Sequence, residues 1–170
     1  DVMIFPTGGG ISIAAAYKAC CELQKLGWVQ GEIPRLIAVQ AEGCAPLEKA
    51  FKKRKKKTVY FKDAHTKANG LRVPKPYCDF MVLDAIYKSQ GYATSVPDAM
   101  LHGAAELVGK KEGLFICPEA AIAFAGLEKL KDEGVISSDE RIVILGSGSG
   151  LKYQGVFPSP SLPLISKVDE

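Results

Sequence analysis

Short apolar runs bounded by glycine or proline alternate with longer helical stretches along most of this chain. Strands are predicted at Val2–Phe5, Arg35–Gln40, Tyr92–Val96 and Arg141–Leu145. Such runs are typical of strands buried on both faces of a parallel sheet, where crossover helices cover them. We therefore predict an α/β fold with a mainly parallel twisted sheet and helices on both faces.

Helices are predicted between these strands from their apolar periodicity and stop residues. They are expected at Ile11–Leu26, Pro46–Phe51, Asp79–Gln90, a stretch that ends near Lys110, and Pro118–Lys131. The first helix is apolar almost all round, so we expect it to be buried on both sides. Ser95 and Asp98 are predicted to form a capping box for the fourth helix.

The composition excludes several classes of function. The 170 residues carry a net charge of +3 and are 47% hydrophobic, which is typical of a globular domain and gives no indication of a nucleic-acid partner. No apolar run reaches the ~18 residues of a membrane span, and Asp1–Ile4 has no features of a secretion signal. Five cysteines without C-x-x-C spacing indicate reduced thiols of a cytoplasmic protein. No metal site is expected, since the two histidines lack neighbouring ligands at suitable spacing.

A glycine loop connects the first predicted strand to the first predicted helix. It consists of Thr7, Gly8, Gly9 and Gly10. Glycines let backbone N–H groups converge, and a helix start adds unpaired donors with a partial positive charge. The loop is therefore a candidate seat for a phosphate dianion, with the Thr7 hydroxyl as a further donor. The spacing fits neither a dinucleotide fingerprint nor a P-loop, and it is equally compatible with an ordinary tight turn.

A second glycine loop, Gly146–Lys152, follows the last predicted strand. Serine and glycine are common turn residues, so this loop alone is weak support for a site. It does offer the neutral hydroxyls of Ser147 and Ser149 on an unhindered backbone. Ligands bind at the carboxyl ends of strands in parallel sheets, and both loops are predicted to lie at such ends.

Four motifs together resemble one enzyme family. They are Pro6–Gly10 (PTGGG), Val39–Pro46 (VQAEGCAP), Cys117–Ala121 (CPEAA) and Gly146–Lys152 (GSGSGLK). The combination resembles the threonine synthase family, which belongs to fold type II of the pyridoxal-phosphate enzymes. The resemblance runs from about Asp1 to Tyr153 and corresponds to the C-terminal half of the family's usual chain. It implies an incomplete cofactor-binding large domain in residues 1–152, followed by an irregular tail in residues 153–170.

The resemblance implies roles for residues of both loops. Thr7, Gly8, Gly9 and Gly10 would hold the phosphate of pyridoxal 5′-phosphate, and Ser147 would face its pyridine nitrogen. A neutral hydroxyl there does not keep a proton on the nitrogen as a carboxylate would. Arg72, Ser149 and Lys152 are expected near the active site. Cys117-Pro118 replaces the Glu-Pro of many members, and Gly148–Gly150 replaces their Gly-His-Gly, which bears on the substrate.

The chemistry of this family needs a lysine that forms a Schiff base with the cofactor. The family carries it in an S-F-K-x-R motif of the N-terminal half. Ala50–Arg54 imitates that motif, but it follows the VQAEGCAP segment, where the family has an ordinary helix. It also opens the run of six basic residues Lys52–Lys57, which we expect to be solvated. We therefore expect the lysine in an absent N-terminal half, in the same or a separate chain, and we expect this chain alone to be inactive.

The resemblance favours one activity and leaves two alternatives open. A threonine synthase converts O-phospho-L-homoserine and water to L-threonine and phosphate, and we expect it to be a cytoplasmic homodimer. The first alternative is a related lyase, dehydratase or cysteate synthase that acts on another amino acid. The second is a non-catalytic half that binds pyridoxal phosphate or nothing. A nucleic-acid binder that uses Lys52–Lys57 is disfavoured, because no aromatic residues interleave with the run.

Overall fold

The computed structural model describes residues 1–153 and 155–157. The strands are β1 (Val2–Pro6), β2 (Arg35–Ala41), β3 (Tyr92–Val96) and β4 (Ile142–Ile144). The helices are α1 (Ile11–Lys25), α2 (Pro46–Lys52), α3 (Asp79–Lys88), α4 (Met100–Glu112) and α5 (Pro118–Asp132). Short 3₁₀ turns occupy Asn69–Leu71 and Gly150–Lys152. Of the predicted tail, only Tyr153 and residues 155–157 fall within this description.

The four strands form one parallel sheet in the order β3-β2-β1-β4. In the register of the central strand β1, Val2 lies opposite Arg35 of β2 on one side and Ile142 of β4 on the other. Because all strands run in the same direction, the loops that follow β1 and β4 emerge side by side at one edge. The predicted parallel α/β fold is confirmed.

Helices cover both faces of this sheet. Ile37 and Val39 of β2 pack in the core that contains α4 and α5, whereas Leu36 and Ala38 pack in the core that contains α1, α2 and α3. Successive residues of a strand point to opposite faces, so one continuous apolar run serves two cores. No helix within residues 1–153 or 155–157 has the length and hydropathy needed to cross a bilayer.

The burial of α1 and β4 differs from the prediction. Ile13 is the one fully buried residue of α1, and Ile11 is 65% exposed, so the expected burial on both sides is wrong. The cause is that α1 packs on the sheet and α3 from one side only, while its other side, which carries Lys18, Glu22 and Lys25, remains at the surface. The predicted buried strand at Arg141–Leu145 is instead a three-residue edge strand whose Val143 is 59% exposed, because it pairs with β1 alone.

The predicted capping box at the start of α4 is also wrong. Ser95 lies within β3, and its hydroxyl donates to Oε2 of Glu48 at 2.8 Å. Asp98 accepts hydrogen bonds from the hydroxyl of Thr66 and the backbone N–H of Lys67. The helix begins only at Met100, without a side-chain cap. The capping box failed because the Ser95 side chain, on a residue predicted and found in the strand, donates to Glu48 rather than to the start of the helix.

Asp79 at the start of α3 anchors the long connection that precedes this helix. Its carboxylate accepts hydrogen bonds from the N–H and hydroxyl of Thr58, at 2.7 and 2.5 Å, and from Nζ of Lys75 at 2.5 Å. Burial by itself would raise the pKa of Asp79, but the bonds from Lys75 and Thr58 outweigh it and lower the pKa to about 2. The connection is therefore held against α3 by a charged, hydrogen-bonded cluster.

Candidate active site at the carboxyl edge of the sheet

The two glycine loops line one cleft of about 430 Å³ at the carboxyl edge of the sheet. The first loop and the start of α1 contribute Pro6 and Gly8–Ser12, and the second loop contributes Ser147, Gly148, Lys152 and Tyr153. Gly70, Leu71, Cys117 and Glu119 complete the lining. A larger groove of about 550 Å³ lies between α1 and α3, but neither glycine loop reaches it. The cleft is therefore where the sequence motifs converge.

Backbone donors concentrate at one end of this cleft. Among the described residues, no acceptor is found for the N–H groups of Gly8–Ser12, whereas the N–H of Thr7 donates to the carbonyl of Val39. The first turn of α1 contains no acidic residue that would compete for these donors. Unpaired N–H groups at a helix start, with the positive end of the helix dipole, favour an anionic group such as a phosphate.

The three glycines of the first loop are required for different reasons. A Cβ at Gly8 would lie 2.8 Å from the carbonyl oxygen of Gly70, and Gly10 has a left-handed φ of 78°. A Cβ at Gly9, in contrast, would meet no atom within 4 Å. Gly8 and Gly10 are therefore needed by the fold itself. Gly9 lines the cleft, and the space that a larger side chain at this position would occupy is open.

Thr7 does not line the cleft, although the sequence predicted that its hydroxyl would face a phosphate. The residue is buried, and its hydroxyl donates to the carbonyl oxygen of Phe5 at 2.8 Å. Its own carbonyl accepts from Nε2 of Gln40, whose Oε1 accepts from the N–H of Leu47 and Glu48 at the start of α2. Thr7 and Gln40 thus shape the loop from within, and the predicted hydroxyl donor is corrected.

The second loop brings Ser147 and Lys152 to the cleft, but not Ser149. The exposed Ser147 hydroxyl lies 3.9 Å from Sγ of Cys117. The Ser149 hydroxyl accepts from the N–H of Leu151 at 3.3 Å and caps the following turn. Arg72 is exposed and lies outside the cleft lining. Ser149 and Arg72 do not line this cleft, and their expected placement near the active site stays a prediction.

The start of α5, which lies in the CPEAA motif, adds Cys117 and Glu119, which were not among the predicted site residues. Cys117 precedes the helix, and its buried thiol accepts a hydrogen bond from the N–H of Ala120 at 3.4 Å. Glu119 is only 6% exposed, and its Oε1 accepts from the N–H of Gly70 at 2.9 Å. Cys-Pro followed by an acidic residue indicates a helix start, and only the family resemblance of the CPEAA motif connected this segment with an active site.

Tyr153 lines the cleft near Glu119. The neighbouring Glu119 carboxylate, which favours the protonated hydroxyl, is the main influence that raises the pKa of Tyr153 to about 12, and burial is the second. The hydroxyl therefore keeps its proton at neutral pH.

The lysine of the rejected Ala50–Arg54 motif stays away from this site. Lys52 is exposed on α2 and forms an ion pair with Glu48 at 2.7 Å. Its hydrogen bond to that carboxylate raises the pKa of Lys52, which is the opposite of what a reactive amine needs. The structure thus agrees with the interpretation of this segment as a charged helix end.

Comparisons with known proteins identify the relatives of this chain. The family described as "Pyridoxal-phosphate dependent enzyme" matches residues 1–148. Threonine synthase of Methanocaldococcus jannaschii is 40% identical over 152 residues, which cover 89% of this chain and 37% of that protein. Threonine synthase of Methanosarcina acetivorans is 34% identical with the same coverage. The chain spans about two fifths of the length of the curated relatives it matches.

Solved structures with a similar fold include maize serine racemase, with a TM-score of 0.69 at 22% identity over 88% of this chain and 43% of that chain. A processed threonine deaminase from Solanum lycopersicum has a TM-score of 0.67 at 21% identity, over 87% of this chain and 40% of that chain. The predicted resemblance to threonine synthases and the predicted cofactor are confirmed. With residues 1–148 matched, this chain belongs to the family of pyridoxal-phosphate-dependent enzymes.

Proposed function

We propose that this chain is the cofactor-binding C-terminal part of a threonine synthase, which converts O-phospho-L-homoserine and water to L-threonine and phosphate. The observation that carries the proposal is the convergence of both glycine loops on one cleft. The 40% identity to an archaeal threonine synthase over most of the chain supports this reaction over others of the family.

The residues of the cleft fit pyridoxal phosphate. The unpaired N–H groups of Gly8–Ser12 would hold its phosphate, and the open space at Gly9 would let the phosphate approach the backbone. Ser147 would face the pyridine nitrogen. When bound, the cofactor supplies an electron sink that stabilises negative charge at the substrate's α-carbon.

The chain's own residues would bind and orient the reactants. A hydroxyl at Ser147 stays neutral, so the ring nitrogen would not be held protonated, and more of the reaction would depend on the lysine and the departing phosphate. Lys152 lines the cleft and adds positive charge that attracts anionic molecules. The Schiff-base lysine would come from an N-terminal half, in the same chain or another. We further propose that the complete enzyme is a cytoplasmic homodimer.

An assay with the complete protein tests this function. We expect phosphate release from O-phospho-L-homoserine with L-threonine as the product, and no such release by residues 1–170 alone. Formation of a 2-oxo acid from serine or threonine, without phosphate release, would instead identify a dehydratase. Tight cofactor binding without turnover of either substrate class would identify a non-catalytic half.

A further inference from the structure

The six consecutive basic residues Lys52–Lys57 have no part in the cofactor cleft. The whole chain contains 22 Lys and Arg residues against 19 Asp and Glu residues, so without this run it would be net negative. All six residues are exposed, and of these six Lys52 alone forms an ion pair with a described residue, Glu48. The positive charge is therefore concentrated at one place on the surface, and most of it is unpaired.

Two residues of this run line a groove at the amino edge of the sheet. The groove has a volume of about 610 Å³, and its lining includes Arg54 and Lys56 together with residues of α2, α3 and the start of β3. Because β3 begins at Tyr92, the groove lies at the edge where the parallel strands start, whereas the cofactor cleft lies where they end. Binding in this groove would be separate from binding of the cofactor, and it does not depend on the proposed function.

Three aromatic side chains form a wall of this groove. Phe51 stacks on Tyr87 with 5.6 Å between the ring centroids, and it meets Tyr92 edge-on at 5.3 Å. The guanidinium of Arg54 lies 5.9 Å from the Phe51 ring centroid, which places positive charge beside the aromatic wall. The sequence disfavoured a nucleic-acid partner because no aromatic residues interleave with the basic run. The fold brings aromatic residues of α2, α3 and β3 to the run, so that reason does not hold in the folded chain.

Two polar residues of the groove have a backbone conformation that favours glycine. Arg54 and Gln90 have left-handed φ values of 51° and 52°, and each follows the C-terminal end of a helix, where glycine is the usual residue. Asp63 is the one other non-glycine residue with such a φ in the described part of the chain. Strained residues of this kind are concentrated at binding sites, where the side chain has a use that offsets the strain.

The basic run is held in place beside the groove. The N–H of Arg54 donates to the carbonyl of Phe51, and the N–H of Lys55 donates to that of Ala50, both at 2.9 Å. The carbonyl of Lys55 also accepts from the Tyr87 hydroxyl at 2.8 Å. These bonds fix the backbone that carries the charges, so less conformational freedom would be lost when an anion binds.

We propose that this groove binds single-stranded nucleic acid. The phosphates would lie along Lys53–Lys57, and a base would stack against the aromatic wall and the guanidinium of Arg54, while the Gln90 amide would bond to an edge of that base. A single strand leaves its bases free for such stacking. A single phosphate group carries about two negative charges, fewer than the five unpaired positive charges of the run, so a chain of phosphates fits this surface better than one phosphate does.

The test is fluorescence anisotropy of a labelled oligouridylate of about ten nucleotides titrated with the full chain. Two variants separate the phosphate contacts from the stacking. Lys56→Gln should reduce the slope of log affinity against log salt concentration by roughly 0.7, the contribution of one phosphate contact on a single strand. Tyr92→Leu should lower the affinity about fivefold or more and leave that slope unchanged, because stacking releases no counterions.

Glycine substitutions test whether the two strained side chains serve binding. Arg54→Gly and Gln90→Gly relieve the backbone strain, so the melting temperature should not fall. The affinity should fall about tenfold for Arg54→Gly, which loses a charged contact, and about threefold for Gln90→Gly, which loses a neutral hydrogen bond. Asp63→Gly is the matched control, since Asp63 has the same backbone conformation and lies outside the groove. We expect the same effect on the melting temperature and no loss of affinity.

Four results would overturn the inference, and each leaves the proposed function intact. The first is a wild-type chain that does not bind the oligonucleotide at micromolar concentration. The second is displacement of the oligonucleotide by dextran sulfate together with an unchanged affinity of Tyr92→Leu, which would identify an unspecific charged surface. The third is equal competition by uridine monophosphate at the same nucleotide concentration, which would assign the groove to a free nucleotide. The fourth is a fall in the melting temperature of Arg54→Gly and Gln90→Gly that Asp63→Gly does not share, which would assign both side chains to the fold.

Discussion

Replacement of Gly9 by valine should remove phosphate binding without disturbing the fold. A Cβ at this position meets no atom within 4 Å, so the side chain enters the open cleft. Valine also reduces the freedom of the unfolded chain, which limits the change in unfolding free energy to about 1 kcal/mol. A phosphate, however, can no longer approach the loop. Loss of two charge-assisted hydrogen bonds at about 1.5–3 kcal/mol each costs roughly 3–6 kcal/mol, or about a hundredfold to ten-thousandfold in affinity.

Calorimetric titration with pyridoxal 5′-phosphate measures this loss, and circular dichroism during heating measures the stability. Gly103→Val is the matched control, because a Cβ at Gly103 in α4 is equally unobstructed and the residue lies outside the cleft. Its cofactor affinity should equal that of the wild type. A Gly9→Val protein that keeps the wild-type affinity would refute the assignment of the loop as a phosphate seat.

Three further predictions concern the ring site, the acid stability and the sheet. Ser147→Asp should change the cofactor's absorption spectrum and reduce turnover of the complete enzyme, because a carboxylate at this position would keep the ring nitrogen protonated; an unchanged spectrum would place Ser147 away from the ring. The pKa of Asp79 falls from 3.8 to about 2 on folding, which stabilises the folded protein by about 2 kcal/mol. This stabilisation is present above pH 4 and is lost as the pH falls towards 2. Urea titrations at several pH values should show the loss in the wild type and not in Asp79→Asn. Gly91→Ala should destabilise the fold by several kcal/mol, since its Cβ would lie 2.0 Å from the carbonyl oxygen of Leu36; a melting temperature equal to that of the wild type would contradict the packing of this turn.

The sequence predicted the parts of the fold that depend on local pattern. Apolar runs bounded by glycine and proline located all four strands, and the strands' common direction brings the loops after β1 and β4 to one edge. It could not predict how much of each element is covered, which depends on neighbours in space. The exposure of one side of α1 follows from its packing against the sheet and α3, and the edge position of β4 follows from the strand order. Neither can be read from a single segment of the sequence.

The candidate site was predictable to a similar extent. Gly8–Gly10 and Ser147 were predicted to lie together because loops after parallel strands share an edge, and they do line one cleft, while their roles toward the cofactor stay predictions. The hydrogen-bond partner of the Thr7 hydroxyl was predicted wrongly, because the side-chain rotamer decides whether the hydroxyl donates to a ligand or to the carbonyl of Phe5. Glu119 was missed because its place in the cleft depends on a contact with Gly70, 49 residues earlier in the chain, which no local pattern indicates.

The cleft joins segments that lie far apart along the chain. Its first loop follows residue 6 and its second follows residue 144, and the strands behind them meet through only three paired positions. A molecule that contacts both loops would connect the two segments, so its binding free energy would also stabilise the pairing of β4 with β1. Changes that loosen β4, such as a charge at Ile142, should therefore weaken cofactor affinity from a distance, and saturation with cofactor should slow hydrogen exchange along β4.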